Sequence, residues 1–350
     1  MASLQDYFSE NVTAPSQLVT SLEYQIPRGY YHEVGTTFSP LITFVYVLVY
    51  FPIWCISIID NGLVIFAFIE NAYLRKIMNY PLVSLAVNDF LTGLVALPLH
   101  LTARLVQSRA TCLESSRAIL FLPSMVLFVS SVLHLIGIAV MRYVSLLRPM
   151  RFRSIVTEFR VKFTLATCWA LSTLQFTFFL IGVSQAEENW ICQGGVYKSV
   201  IAVHHFLLAT LILPVVLIGM FCLYLFMVRK AFLQLKRRRR FCSQRSSQLI
   251  KRRQMEARSR FRGSVTMAIV VGAFSLCWMP TSFSYIFCTL KTHHLTRTVQ
   301  SILSFLCEYP TFLNATLNPI IYAYRNSDFH DAFIHIWERF KVKWWSSRGT

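Results

Sequence analysis

Acidic residues are scarce in this chain: 16 Asp and Glu stand among 350 residues, against 34 Lys and Arg. Charge of either sign is thin, at 14% of the chain, where soluble domains carry roughly 25%. That shortage excludes an ordinary pair of soluble domains, which length alone would suggest. The nine cysteines include no CxxC pair and no zinc-like spacing, so a metal module is excluded. Residues 1–40 lack a basic start followed by an apolar run, so no amino-terminal export signal is expected. There is no internal repeat. His134, His204 and His205 have no companions at ligand spacing, and no nucleophile–base set accompanies them, so no enzyme constellation is present.

What the chain has is apolar surface: 55% of its residues are hydrophobic, and its mean hydropathy is +0.50. A helix needs about 20 mostly apolar residues to cross a bilayer. Seven segments qualify, near 41–69, 79–104, 118–147, 160–182, 199–228, 262–290 and 297–324. Each is apolar nearly all round, so lipid or other helices must face every side. The fold expected is an all-α membrane protein, a seven-transmembrane helix bundle over 41–326. Residues 1–40 form an outer segment, and 327–350 hold a short amphipathic eighth helix and a tail. In that tail Phe329, Phe333, Ile336, Trp337, Phe340 and Trp344 recur at helical spacing, with Asp328, Asp331, Glu338, Arg339 and Lys341 on the other face.

The basic residues are unevenly placed. The connections after segments one, three and five, with the tail, hold 27 of the 34 Lys and Arg. By the positive-inside bias these face the cytoplasm, and the amino terminus lies outside a plasma membrane. Asn11 in Asn11-Val12-Thr13 is then an outward-facing glycosylation acceptor. The third cytoplasmic connection, 229–261, carries KRRRR (236–240) and KRR (251–253). Between two spans such runs read as a solvated helix extension that meets anionic lipid or an acidic partner, not as a nucleic-acid patch.

Polar groups deep in spanning helices are costly and therefore functional candidates. Asp60-Asn61, Asn88-Asp89, Ser130-Ser131, His134, Glu308, Asn314 and Asn318 all qualify. A mid-helix aspartate costs about 2.5–3.5 kcal/mol on insertion scales, so Asp89 should face partners inside the bundle. Ser131, Asn314 and Asn318 are candidates to supply oxygens for a small cation beside it; an interhelical hydrogen-bond network is the plainer use of the same groups. Pro280 and Pro319 remove mid-helix backbone bonds and mark possible hinges.

These residues stand in an ordered set: Asn61 in NGLV, LAVND at 85–89, Arg142-Tyr143 with Pro149, Trp169, Pro214, Phe274/Cys277/Trp278/Pro280, and Asn318-Pro319 with Tyr322. The set resembles the rhodopsin-like (class A) G-protein-coupled receptors across residues 41–341. The resemblance implies that an extracellular ligand biases two packings of the bundle, and that a heterotrimeric G protein is met at the inner end. It implies that Arg142, Tyr143, Tyr224, Asn318, Pro319 and Tyr322 serve coupling, with Trp278, Phe274 and Pro280 transmitting the signal. It implies a sodium pocket of Asp89, Ser131, Asn314 and Asn318, and a ligand pocket among Ser124, Leu127, Trp278, Phe283, Tyr285, Glu308 and Phe312. It implies a Cys112–Cys192 disulfide, with Cys112 five residues before the family position, which here is Arg117.

The departures from the family are specific. Met141 replaces the acid that usually pairs with the arginine, and Arg260 stands where many relatives have a restraining glutamate. Weak restraint and raised ligand-independent signalling are expected, against the alternative that packing around Met141 holds the inactive state. Cys222 stands where the family has tyrosine, and Tyr224 lies two residues on, which leaves the active state also in question. Ser124 replaces the aspartate of amine receptors, and segment seven has no lysine for a retinal Schiff base. Glu308 is left to pair either a cationic ligand or Lys291, Arg297 or His205. YAYRNSDF in the tail is similar to adenosine receptors but lies away from the pocket. The competing function class is a cation transporter or channel using Asp60, Asp89 and Glu308; the motif order and the lack of a repeat argue against it.

Overall fold

Without water in a bilayer core, a chain this apolar satisfies its backbone only within helices. In the computed structural model every long element is helical; residues 40–105, 111–184, 213–242, 248–291 and 297–346 are described. Helix α1 spans Pro40–Glu70, and a 3₁₀ turn covers Ala72–Leu74. Helix α2 (Tyr80–Leu91) passes through a π-helical turn, Thr92–Ala96, into α3 (Leu97–Leu105). Next come α4 (Thr111–Leu147), the single turn α5 (Phe152–Ile155) and α6 (Glu158–Ser184). Helices α7 (Leu213–Cys242), α8 (Gln248–Lys291), α9 (Arg297–Arg325) and α10 (Ser327–Ser346) complete the described elements.

Among the described residues, five helices are long and apolar enough to cross a membrane: Phe44–Glu70, Tyr80–Ala103, Leu122–Leu147, Pro214–Gln234 and Phe261–Phe283. Two further long helices, α6 and α9, occupy the expected fourth and seventh places in chain order. Helix α1 packs on α2 and α9, α4 on α2, α3 and α6, and α8 on α7 and α9.

The bundle is polar inside and apolar outside. Phe44, Leu48, Phe51, Ile59, Phe163, Val215, Ile218 and Leu276 are exposed, whereas Ser57, Asn61, Asn88, Asp89, Ser130, His134 and Asn318 are buried. Large exposed apolar patches are rare on soluble monomers, so this surface is one for lipid.

The segment 229–261 is helical wherever it is described. Helix α7 runs on to Cys242, and α8 begins at Gln248, so the basic runs ride on helix extensions. Pro280 and Pro319 lie inside uninterrupted helices. The π turn in the second span was not foreseen. Its Gly93 lies so close to α1 that a β-carbon there would stand 2.9 Å from Ser57 Oγ. One extra residue in a turn rotates all that follows by about 100° at 3.6 residues per turn.

The proximal half of α10 is seated and the distal half is exposed. Phe329 and Ala332 are fully buried, while Trp337, Phe340 and Trp344 are exposed in a stacked row. Lys76 meets Asp328 at 2.6 Å and Arg339 meets Glu70 at 3.7 Å, tying α10 to the first inner turn.

Candidate functional site

The buried polar residues form tiers along the bundle. At mid-depth, Asn318 Nδ2 donates to Asp89 Oδ2 at 2.7 Å, joining α9 to α2. Ser57 Oγ donates to the Asp89 carbonyl at 3.0 Å, and Asn61 Nδ2 donates to the carbonyls of Ser57 (2.9 Å) and Ala315 (2.8 Å). Asn88 Nδ2 donates to Ser131 Oγ at 2.7 Å and the Leu127 carbonyl at 3.1 Å, bringing in α4. Four spans thus share one polar layer. Its leftover buried groups are acceptors: Asp60 Oδ2, Asn61 Oδ1, Asn88 Oδ1 and Asn314 Oδ1 have no hydrogen-bond partner.

Asp89, Ser131 and Asn314 are buried and present oxygens, and oxygen ligands suit a hard cation. Asn318 turns its amide nitrogen to Asp89 and keeps its Oδ1 as a further acceptor. Asn318 orients the carboxylate.

A second chain of bonds crosses α2, α4 and α6. His134 Nδ1 lies 2.7 Å from the Ser130 carbonyl, which can only accept, so Nδ1 carries the proton. His134 Nε2 is then the acceptor for the Ser84 hydroxyl at 2.8 Å, and Ser84 Oγ accepts Trp169 Nε1–H at 3.2 Å. The Trp169 ring stands edge-on to His134 at 5.6 Å. With every donor matched, His134 and Trp169 fasten three helices together and need no catalytic role.

At the other end from Arg142, Glu308 Oε2 meets His100 Nε2 at 3.2 Å. His100 was missing from the expected partners; the π turn before it sets which face of α3 it occupies. Of those expected partners, the side chains of Lys291, Arg297 and His205 lie outside the described residues. Phe312 stands edge-on to His100 at 4.7 Å, and Tyr50 packs edge-on against Phe305, Tyr309 and Phe312. Leu127 is buried, and Ser124 Oγ and Trp278 Nε1 are buried without hydrogen-bond partners. Phe283 departs from its expected place in the pocket: it is 62% exposed, while Thr281 and Ser282 are buried. Helical phase turns 281 and 282 inward and 283 out, so the small polar pair holds the inner face. Tyr285 lies in α8, with its side chain outside the described residues, as do Cys112, Cys192 and Asn11.

Between the tiers, Trp278 and Phe274 stack with Phe128 of α4, at ring separations of 3.8 Å (Trp278–Phe128) and 6.4 Å (Phe128–Phe274). Phe128 was not foreseen, because one more phenylalanine in an apolar helix carries no signal.

At the inner end, Arg142 and Met141 are half-buried and Tyr143 is at the edge. Tyr224 is 3% exposed, and its hydroxyl is buried without a hydrogen-bond partner. Cys222 is exposed. Leu217, Met220, Tyr224, Met227 and Ala231 form the buried stripe of α7, so its phase puts Tyr224 where the residue count had put Cys222. The side chains of Arg260 and Tyr322 lie outside the described residues.

Comparison with known proteins agrees with this geometry. Residues 60–322 match the family model described as 7 transmembrane receptor (rhodopsin family). The adenosine receptor A2a of Canis lupus familiaris is 28% identical over 321 residues, covering 84% of this chain and 72% of that receptor. The histamine H2 receptor of Cavia porcellus is 27% identical over 289 residues, covering 79% and 75%. The adenosine receptor A2b of Gallus gallus is 26% identical over 313 residues, covering 82% and 86%. Two differently named receptor types at nearly equal identity leave the subfamily unassigned. The match makes this a receptor rather than an enzyme or a transporter, and the chain belongs to the rhodopsin family of seven-transmembrane receptors, which bind extracellular ligands and couple to heterotrimeric G proteins.

Proposed function

We propose that this receptor signals appreciably without ligand, because its inner end lacks the acids that restrain its relatives. The observation that carries this is Met141 beside Arg142: no carboxylate precedes the arginine, and Arg260 stands at the sequence position where many relatives have a restraining glutamate. Tyr224, buried on the inward stripe of α7, keeps an active-state partner available. Expressed at matched surface density, the wild type should exceed mock-transfected cells in basal coupling to at least one of the four G-protein classes. Basal output equal to mock in all four overturns the reading.

The amino terminus faces outside, Asn11 is glycosylated, and Cys112 and Cys192 are bridged. The ligand enters beside Ser124, Leu127, Trp278, Thr281, Ser282, Phe312 and the Glu308–His100 pair. Without an aspartate at position 124 it is no amine anchored in the usual way. Glu308 is the acid that remains for a cationic group, which would displace His100. Asp89, Ser131 and Asn314 would hold a sodium ion that favours the inactive packing, with Asn318 steadying Asp89. The basic extensions of α7 and α8 meet anionic lipid.

A further inference from the structure

The connection between α4 and α6 carries four arginines, Arg148, Arg151, Arg153 and Arg160, against one acid, Glu158, over residues 148–160. Glu158 is already engaged: Lys162 meets it at 2.7 Å, and the Tyr80 hydroxyl donates to it at 3.3 Å. All four arginines are exposed. Ser154 stands among them, also exposed, on the single turn α5. The other hydroxyl of the connection, Thr157, is half-buried and caps α6, its Oγ1 accepting the Arg160 backbone N–H at 3.4 Å. Ser154 Oγ donates to the Arg151 carbonyl at 2.9 Å, at the surface. Helix α5 has no buried residue, while Leu146 before it and Val156 after it are buried. A turn that short is marginal by itself, so it can be drawn straight between those two anchors without disturbing the bundle.

Arg160 Nη1 donates to the carbonyls of Ile155 at 2.9 Å and Ser154 at 3.4 Å, so its guanidinium is folded back on the end of the turn that carries Ser154. We infer that Ser154 is a phosphorylation site: Arg151 and Arg153 mark it for a serine kinase with an acidic substrate groove, and Arg160 clamps the product. This rests on the reading that places the basic connections in the cytoplasm. In the reaction the Ser154 oxygen attacks the terminal phosphorus of a nucleoside triphosphate. The new O–P bond forms as the bond to the nucleoside diphosphate breaks. The diphosphate leaves with that electron pair, and the hydroxyl proton passes to a carboxylate of the kinase. The product can no longer donate to the Arg151 carbonyl. It carries instead about two negative charges and three strong acceptor oxygens. Arginine meets phosphate through paired, charge-assisted bonds, which are stronger than the bonds to neutral carbonyls that hold Arg160 now. The phosphate therefore draws Arg160 off the end of α5 and rebuilds the connection that follows the Arg142 helix.

Purified full-length receptor, incubated with ATP and the catalytic subunit of cyclic-AMP-dependent protein kinase and mapped by mass spectrometry, should carry phosphate on Ser154. Ser154→Ala should lose that phosphopeptide and keep any from 229–261. Arg151→Gln combined with Arg153→Gln should cut phosphate on Ser154 about tenfold, since the recognition is ionic. Arg160 follows Ser154 by six residues, past the arginines that mark the site. Arg160→Gln should therefore leave phosphorylation intact and speed removal of the phosphate by a phosphatase about threefold or more. No phosphate on Ser154, or an amount indifferent to Arg151 and Arg153, overturns the site. An unchanged removal rate in Arg160→Gln overturns the clamp. The placement of the connection is judged apart, at Met150, which is 95% exposed. Met150→Cys should take a membrane-impermeant maleimide, beyond the wild-type level, only after cells are opened. Labelling in intact cells overturns the cytoplasmic placement, whatever the purified receptor shows.

Discussion

The middle of the bundle and its inner end solve the same problem with different physics. Both bring ionic or polar groups of several helices together in a low-dielectric interior. At mid-depth Asp89 is held by named bonds, from Asn318 at 2.7 Å with Asn61, Ser57 and Asn88 around it. At the inner end the Arg142 guanidinium lies close to α8 at Gly263, Met141 precedes it in sequence, and the buried Tyr224 hydroxyl makes no hydrogen bond. Bonds of fixed geometry specify one arrangement and make departures costly. The bonds that hold Asp89 thus make the mid-depth layer costly to rearrange.

Breaking the mid-depth layer should have the largest effect. Asn318→Ala strips Asp89 of its side-chain donor and leaves a buried acid, a class of change that costs about 1–3 kcal/mol and more for a charged group. We expect poor surface expression and a melting temperature in detergent lowered by several degrees. Asp89→Asn added to Asn318→Ala should recover much of that loss, because an amide tolerates the missing donor better than an acid does. No recovery would mean that the layer is held by packing.

Making the inner end resemble the middle is the next largest change. Met141→Asp gives Arg142 an adjacent carboxylate. A half-exposed pair of this kind is worth up to about 1 kcal/mol, roughly fivefold in a two-state balance. Basal signalling should fall two- to fivefold at matched surface expression. Basal output unchanged by the new acid would show that the outward movement is limited elsewhere.

The contrast also explains what the sequence disclosed. Spans are legible because twenty apolar residues have few other uses, and Asp89, Asn318 and Asn61 are legible because a polar side chain there demands partners. Residues whose role depends on helical phase were harder. Counting from Pro214 put Cys222 inside, yet the stripe that includes Met220 and Met227 buries Tyr224 instead. The family resemblance put Phe283 in the pocket, yet small Thr281 and Ser282 are the buried residues there. His100 was hidden behind a π turn that no residue type announces.

The outer end lies between these extremes and should respond accordingly. Glu308 and His100 are paired at 3.2 Å but are joined by neighbouring rings rather than by a shared polar layer. Interhelical polar pairs in membranes average about 0.6 kcal/mol in double-mutant cycles, with the largest near 1.7. A cycle of Glu308→Gln and His100→Gln, read by thermal melting in detergent, should give a coupling within that range. A coupling near zero would mean that the rings alone hold this tier.

The smallest effect belongs to the surface, where α10 offers the same contrast in miniature. Among the described residues Lys76 and Asp328 form the shortest ion pair on this helix, at 2.6 Å, with side chains 55% and 33% exposed. Phe329, the next residue, is 0% exposed and makes no polar contact through its ring. Distance alone would rank the ion pair first. Water and salt screen an exposed pair, which is worth less than about 1 kcal/mol, whereas truncating a buried phenylalanine costs about 3–5 kcal/mol. Lys76→Ala should therefore shift the melting temperature by at most a degree or two and do less at high salt. Phe329→Ala should loosen α10 and lower the melting temperature more. Equal effects would require Lys76 to act through a partner other than Asp328. A change that vanishes in an Asp328→Ala background would confirm the pair as its source, and one that persists would assign it to the first inner turn, where Asn79 and Leu74 hold the chain on which Lys76 stands.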